Sequence, residues 1–277
     1  MATVTERVGL MTYVTCPIKR YHPAVVAQKA ATVCLLSDGR FTLGLGAGEN
    51  LNEHVTGAGW PPVNTRHAML RKAVEIIRAL FSGDYVNYSG RYFEVDSAKL
   101  WDRPATPPDI GIAVSGAQSC QLTAELADVM IAVEPEASLV RQFVEAGGRD
   151  KSKVGQIPVC FDRNRDAAVT RAHRLFRWFG GGWKVNSELP CTASFAAASA
   201  AVKPIDVADA IPCGSDVDQF VKAVRAFPDA GFSHIAPVQS GGDEQLEFIE
   251  WAAEELLSGA ALLGLTRRSS GLAVRPW

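Results

Sequence analysis

The chain has 277 residues, of which 28 are Lys or Arg and 30 are Asp or Glu, for a formal net charge of −2. There is no basic excess to neutralise a phosphate backbone, which argues against nucleic-acid binding. With 47% apolar and 21% charged residues the composition is that of an ordinary globular chain and not of a disordered one.

No run of about 18 apolar residues occurs, so no membrane-spanning helix is expected. The first residues lack the basic cluster, apolar stretch and cleavage site of a signal peptide, and a cytoplasmic location is the resulting expectation. Cys16, Cys34, Cys120, Cys160, Cys191 and Cys213 show neither Cys-x-x-Cys nor zinc spacing. They read as reduced thiols, and no metal site is expected.

Short β-rich runs alternate with helical patterns, the signature of a parallel sheet with crossover helices. Residues 8–15 (VGLMTYVT) read as a buried strand. A helix follows over 23–36, with Pro23 in its first turn and Gly39 as its stop. Residues 41–45 are the second strand. Residues 69–81 form an amphipathic helix, apolar at Leu70, Val74, Ile77, Leu80 and Phe81. Two short runs flank Ser89-Gly90, a hairpin signal, and the Pro-rich stretch 104–108 returns the chain to the core. Strands are then expected at 110–114, 129–133 and 155–161, followed by helices from about Gln118, around 139–146 and over 165–179. Pro158 argues against a regular central strand. Residues 180–214 read as an insertion or lid. Asp216 caps a helix to about Phe227, 232–238 is the sixth strand, and a helix over 243–257 closes the fold. The chain thus reads as one domain over 1–258, with insertions at about 84–108 and 180–214, and an irregular tail at 259–277. Six β/α units are visible where a closed barrel has eight. Two readings fit: an open six-unit sheet, or a (β/α)8 barrel lacking its first two units.

The segment Gly44-Leu-Gly-Ala-Gly-Glu-Asn50 follows a strand, but a dinucleotide fingerprint would need glycine where Glu49 stands. A P-loop would need Gly-Lys-Ser/Thr, also absent. The glycines let backbone approach a flat ligand at the carboxyl end of a strand. Glu49 is either a proton-transfer group at the mouth of that pocket or a first-turn helix carboxylate. Glu53 reads as a solvated or capping group. The small-residue loop 114–119 either offers helix-start N–H groups to a phosphate or is a plain N-cap by Ser115. Lys19 and Arg20 either meet an anion or are solvated. His22 reads as an N-terminal helix residue, and His54, His67, His173 and His234 as surface or core groups. Phe176, Trp178, Phe179 and Trp183 either roof a pocket or form ordinary core.

Taken together, the runs 21–32 (YHPAVVAQKAAT) and 39–52 (GRFTLGLGAGENLN), with Trp60-Pro61, Ile112–Gln118 and the late Asp243, Phe248 and Ile249, closely resemble the luciferase-like superfamily. Within it the chain is similar to the deazaflavin (coenzyme F420) oxidoreductases related to F420-dependent glucose-6-phosphate dehydrogenase. The resemblance implies a TIM barrel with coenzyme F420 at the carboxyl ends of its strands. It implies a non-proline cis peptide near Tyr13-Val14 backing the deazaflavin, and coenzyme contacts at Val14, Cys16, Ala47, Gly48 and Asn52. Ser115, Gly116 and Gln118 match the loop for the coenzyme's phosphate side, and Glu49 matches the catalytic glutamate. The opening strand-helix-strand-helix segment, which carries an Asp-His pair in relatives, has no counterpart here. Its absence would expose edges on the strands at 8–15 and 233–238, so a homo-oligomer, a dimer, is expected. Where sugar-phosphate enzymes of the family hold the substrate phosphate, this chain has Val133, Glu136 and Asp209, which disfavours glucose 6-phosphate. The reading is an F420-dependent oxidoreductase acting on a small organic substrate. The alternatives are an FMN-dependent luciferase-like monooxygenase and an inactive coenzyme- or partner-binding remnant.

Overall fold

The structure, a computed structural model, describes residues 1–241 and 245–258. They fall into two compact units, one of residues 1–131 and 141–151, the other of residues 132–140 and those after 151. The expected tail at 259–277 and Asp243 lie outside the described residues.

The first unit contains, in chain order, β1 (Leu10–Met11), α1 (Pro23–Leu36), β2 (Phe41–Leu45), α2 (Asn50–Glu53), α3 (Val63–Phe81), β3 (Val86–Ser89), β4 (Glu94–Ala98), β5 (Asp109–Ala113), α4 (Ala117–Leu126) and β6 (Val129–Ala132). Strands β1, β2, β5 and β6 pair in parallel in that order. All five residues of β2 are buried, as a strand covered on both faces requires. Strands β3 and β4 form the antiparallel hairpin expected around Ser89-Gly90. The small buried residues of α1, Ala27, Ala30, Ala31 and Cys34, let the apolar face of α3 pack closely against it.

Two expectations need correction in this unit. Regular pairing in the first strand covers Leu10–Met11 and not 8–15. Thr12 gives its hydroxyl to the Gly44 carbonyl at 2.9 Å, the Tyr13-Val14 peptide is cis, and pairing resumes only as a single bridge between Thr15 and Leu45. The cis bond stands where the resemblance implied it. Helix α3 begins at Val63, six residues before the expected start; residues 63–68 bury Arg66 and no apolar residue, so no apolar period marks them.

Residues 1–8 form no strand or helix, yet they are tied down by one side chain. The buried Arg40 guanidinium donates to the carbonyls of Ala2 (3.1 Å), Thr5 (2.6 Å) and Val8, and to the Thr5 hydroxyl (3.3 Å). Arg40→Ala is expected to release this segment. Limited trypsinolysis should then cut after the exposed Arg7 at least about tenfold faster, since each lost hydrogen bond is worth roughly 1 kcal/mol. An unchanged cleavage rate would mean that the segment is held by other contacts.

After α5 (Ala137–Phe143), the second unit is built on β7 (Ser152–Phe161) and continues through α6 (Arg165–Phe176), α7 (Trp183–Asn186), α8 (Thr192–Ala198), α9 (Pro204–Ala210), β8 (Cys213–Gly214), α10 (Val217–Ala230), β9 (His234–Gln239) and α11 (Gln245–Trp251). Strand β7 pairs in parallel with β8 and with β9. Pro158 does not interrupt β7. Six consecutive register pairs with β9 carry the strand past its one missing donor. Strand β8, two residues within the stretch read as an insertion, raises the strands in parallel pairs among the described residues to seven where six were expected. Asp216 caps α10 as expected, its side chain accepting the Asp218 N–H at 3.0 Å. Trp251 forms the centre of the core, stacked on Phe161 (ring centroids 4.6 Å apart) and edge-on to Phe220 (4.9 Å). Among the described residues, β1 and β9 each have a strand partner on one side only.

Candidate functional site

Three loops of the first unit leave the carboxyl ends of adjacent parallel strands. Residues 12–22 follow β1, 46–49 follow β2 and 114–116 follow β5. The Thr15–Leu45 bridge and the Leu45–Ile112 register pair bring them side by side. The Gly46 N–H donates to the Thr15 carbonyl at 3.0 Å, which ties the first two loops together. A Cβ at Gly46 would stand 2.7 Å from Val14 Cγ2, so glycine is required for this close approach. Gly48 has φ +81°, the left-handed region, and a Cβ there would lie 2.6 Å from Cys16 Sγ and 3.4 Å from Trp60 Cη2. The result is a closely packed floor in which Val14 and the Cys16 thiol take the space that side chains at Gly46 and Gly48 would need, beside half-buried Ala47.

Glu49 is the N-cap residue of α2 and has extended backbone angles, but its side chain makes no capping bond. It accepts instead from Asn52 Nδ2, 3.1 Å from Oε2. Half-burial raises the Glu49 carboxyl above the usual carboxylate range, and the Asn52 bond offsets this in part. A carboxyl so placed holds a proton more readily than a solvated one. Burial also pushes the Cys16 thiol up, with the Glu53 charge adding to it, so position 16 presents a thiol and not a thiolate.

At the third loop the cap differs from expectation. Gly116, and not Ser115, is the N-cap residue of α4. Ser119 Oγ accepts the N–H groups of Ser115 (3.0 Å) and Gly116 (3.2 Å) and donates to the Gly116 carbonyl (2.8 Å). Ser115 and Gln118 are exposed beside this turn. The N–H groups of Ala117, Gln118 and Ser119, in the first turn, have no intrahelical acceptor.

Several residues depart from the sequence reading or settle its alternatives. Glu53 is neither solvated nor a cap; it is fully buried. Arg20 does meet an anion, and that anion is Glu53, whose Oε1 lies 3.6 Å from Arg20 Nε. Lys19 donates to the Ala58 carbonyl at 3.2 Å. His22 is the N-cap of α1, as expected, accepting the Ala24 N–H at 3.2 Å. The Arg66 guanidinium lies over the Trp60 ring, 4.1 Å from its centroid, and backs the indole that borders Gly48. Neither Glu53 nor Arg66 carries a sequence signal: Glu53 meets Arg20 33 positions away, and Arg66 pairs with the nearby Trp60 at a spacing that no apolar period marks.

In the second unit Phe176, Trp178 and Phe179 form a half-buried aromatic cluster with Phe195. Near the end of β6, burial first and the neighbouring Glu136 second hold the Glu134 carboxyl above the usual range. No disulfide joins the six cysteines, all of which lie among the described residues. Among the described residues no helix is long and apolar enough to cross a membrane.

Comparison with known proteins identifies the family. Residues 1–268 match the family described as luciferase-like monooxygenase. An F420-dependent hydroxymycolic acid dehydrogenase of Mycobacterium tuberculosis is 38% identical over 234 residues, an alignment covering 82% of this chain and 64% of that protein. An F420-dependent glucose-6-phosphate dehydrogenase of Amycolatopsis mediterranei is 32% identical over 285 residues, covering 95% and 83%. Among solved structures, an F420-dependent secondary alcohol dehydrogenase in complex with an F420–acetone adduct superposes with a TM-score of 0.82 at 26% identity. That match covers 93% of this chain and 81% of the other. The chain therefore belongs to the luciferase-like family, within its branch of F420-dependent oxidoreductases.

Proposed function

We propose that the chain transfers a hydride between coenzyme F420 and the carbinol carbon of a small alcohol, or in reverse the carbonyl carbon. Glu49 takes or gives the hydroxyl proton. The observation that carries this reading is the half-buried Glu49 carboxyl, raised by its surroundings, at the edge of a closely packed floor. Glycine at 46 and 48 lets Val14 and the Cys16 thiol pack against the turn, and a flat ring system would lie against that packed surface. The first turn of α4 supplies N–H donors suited to a phosphate. Val14, Cys16, Ala47, Gly48 and Asn52 would then hold the ring system, and Ser115, Gly116 and Gln118 the phosphate side. When bound, the deazaflavin supplies the hydride acceptor or donor. The Cys16 thiol, hydrogen-bonded to Glu53, does not compete as a nucleophile. Val133, Glu136 and Asp209 stand in sequence where sugar-phosphate relatives hold the phosphate, and their apolar character and charge disfavour glucose 6-phosphate.

A titration of the purified chain with coenzyme F420, run beside FMN, tests the reading. Selective binding of the deazaflavin is expected. Preference for FMN would turn the assignment to luciferase-like flavin chemistry, and binding of neither would remove it. An unpaired β1 edge favours self-association, supporting a homo-oligomer, and sedimentation of the same sample reads that state.

A further inference from the structure

Glu53 is a carboxylate with no exposed surface, and a buried charge is costly unless it is paired. Its partners come from outside its own helix. Oε2 accepts the Arg20 main-chain N–H at 2.9 Å, and Oε1 lies 3.6 Å from the Arg20 guanidinium. The side-chain stem packs against Gly48, where a Cβ would stand 3.1 Å from Glu53 Cγ and 2.6 Å from Cys16 Sγ. The Glu53 N–H donates to the Glu49 carbonyl at 3.1 Å. One side chain thus touches the loop after β1 at Arg20 and the loop after β2 at Gly48. One main-chain bond then links it to Glu49.

We infer that Glu53 is a positioning residue: it clamps residues 16–20 against the Gly48–Glu49 turn and so sets the floor and the place of the Glu49 carboxyl. The inference rests on the site reading above. An apolar residue of similar size would fill the volume, but it would leave the Arg20 N–H without its acceptor and the guanidinium without its counter-charge. The Lys19 bond to the Ala58 carbonyl is a second tie between the same loops and limits how far they part when the clamp is removed.

The test uses the full chain with Glu53→Gln, Glu53→Ala and Arg20→Ala. The first readout needs no coenzyme: alkylation of Cys16 by iodoacetamide, followed by peptide mapping, with the fully buried Cys120 as the folding control. The second is the F420 titration. Glu53→Ala is expected to speed Cys16 alkylation and weaken F420 binding by about tenfold each, the scale of one hydrogen bond to a charged group. Glu53→Gln keeps an acceptor for the Arg20 N–H and should fall between it and the wild type, and Arg20→Ala should resemble Glu53→Gln. Should Glu53→Ala also expose Cys120, it has unfolded, and the other two variants decide. If Cys16 stays protected and affinity is unchanged in the folded variants, the clamp is refuted. A wild type that fails to bind F420 refutes the coenzyme assignment instead, and Cys16 protection then still decides the clamp.

Discussion

Replacing Glu49 by Gln is expected to lower turnover by about 10²–10⁴-fold, the range for removing a positioned acid or base. Coenzyme affinity should hold within about threefold, because Gln keeps the shape and an acceptor for Asn52 Nδ2. The pH dependence follows from the raised carboxyl. Alcohol oxidation needs Glu49 ionised, so the rate falls as pH drops through the raised pKa. Carbonyl reduction needs its proton, so the rate falls as pH rises through it. Stability follows the protonated form. The folded chain binds this proton more tightly than the unfolded chain does, so ionisation at neutral pH costs stability. Glu49→Gln removes that cost, and the variant should melt at or above the wild-type temperature. Single-turnover absorbance of the deazaflavin in both directions, with a thermal melt beside it, checks all three statements. A variant that retains turnover within about threefold would show that Glu49 is a helix-start carboxylate and no more.

The largest stability effect is expected at Trp251. Truncation to Ala should cost about 3–5 kcal/mol, the range for removing a buried aromatic. The indole is almost fully buried between Phe161 and Phe220, with Phe248 6.2 Å away, so the space cannot close without moving three rings. Trp251→Phe provides the contrast. The indole N–H has no hydrogen-bond partner among the described residues, so Phe forfeits volume but no hydrogen bond. It should cost less than about half as much. Urea unfolding of both variants decides. Equal costs would show that the N–H matters, or that the core does not tolerate a smaller ring.

How far the sequence could be read depended on where each residue's partner lies. Helix α3 was legible from Met69 onward because Leu70, Val74, Ile77 and Leu80 repeat at helical spacing. Residues 63–68 were not, because their buried member is Arg66, whose role is set by Trp60. Strand β8 has two residues, too few for any period to show. Glu53 was misread for a physical reason: carboxylates are mostly solvated, and its burial depends on Arg20, 33 positions earlier. Of the two readings left open for the 114–119 loop, the plain cap by Ser115 fails because the hydroxyl that reaches back is that of Ser119. The cis bond between Tyr13 and Val14, and the grouping of Glu49 with Cys16 and Ser115, came from family resemblance and not from periodicity or spacing.

The Arg40 knot sets unequal evolutionary freedom at the two ends of its contacts. Three of its four acceptors are main-chain carbonyls, at residues 2, 5 and 8, which any amino acid would supply. Those positions can therefore drift almost without restriction while the segment keeps its path. Position 40 cannot, because only a planar fork of five donors satisfies carbonyls in three directions at once. Across relatives that share this segment, a variable stretch of about eight residues should therefore accompany a nearly invariant arginine 32 positions beyond Val8.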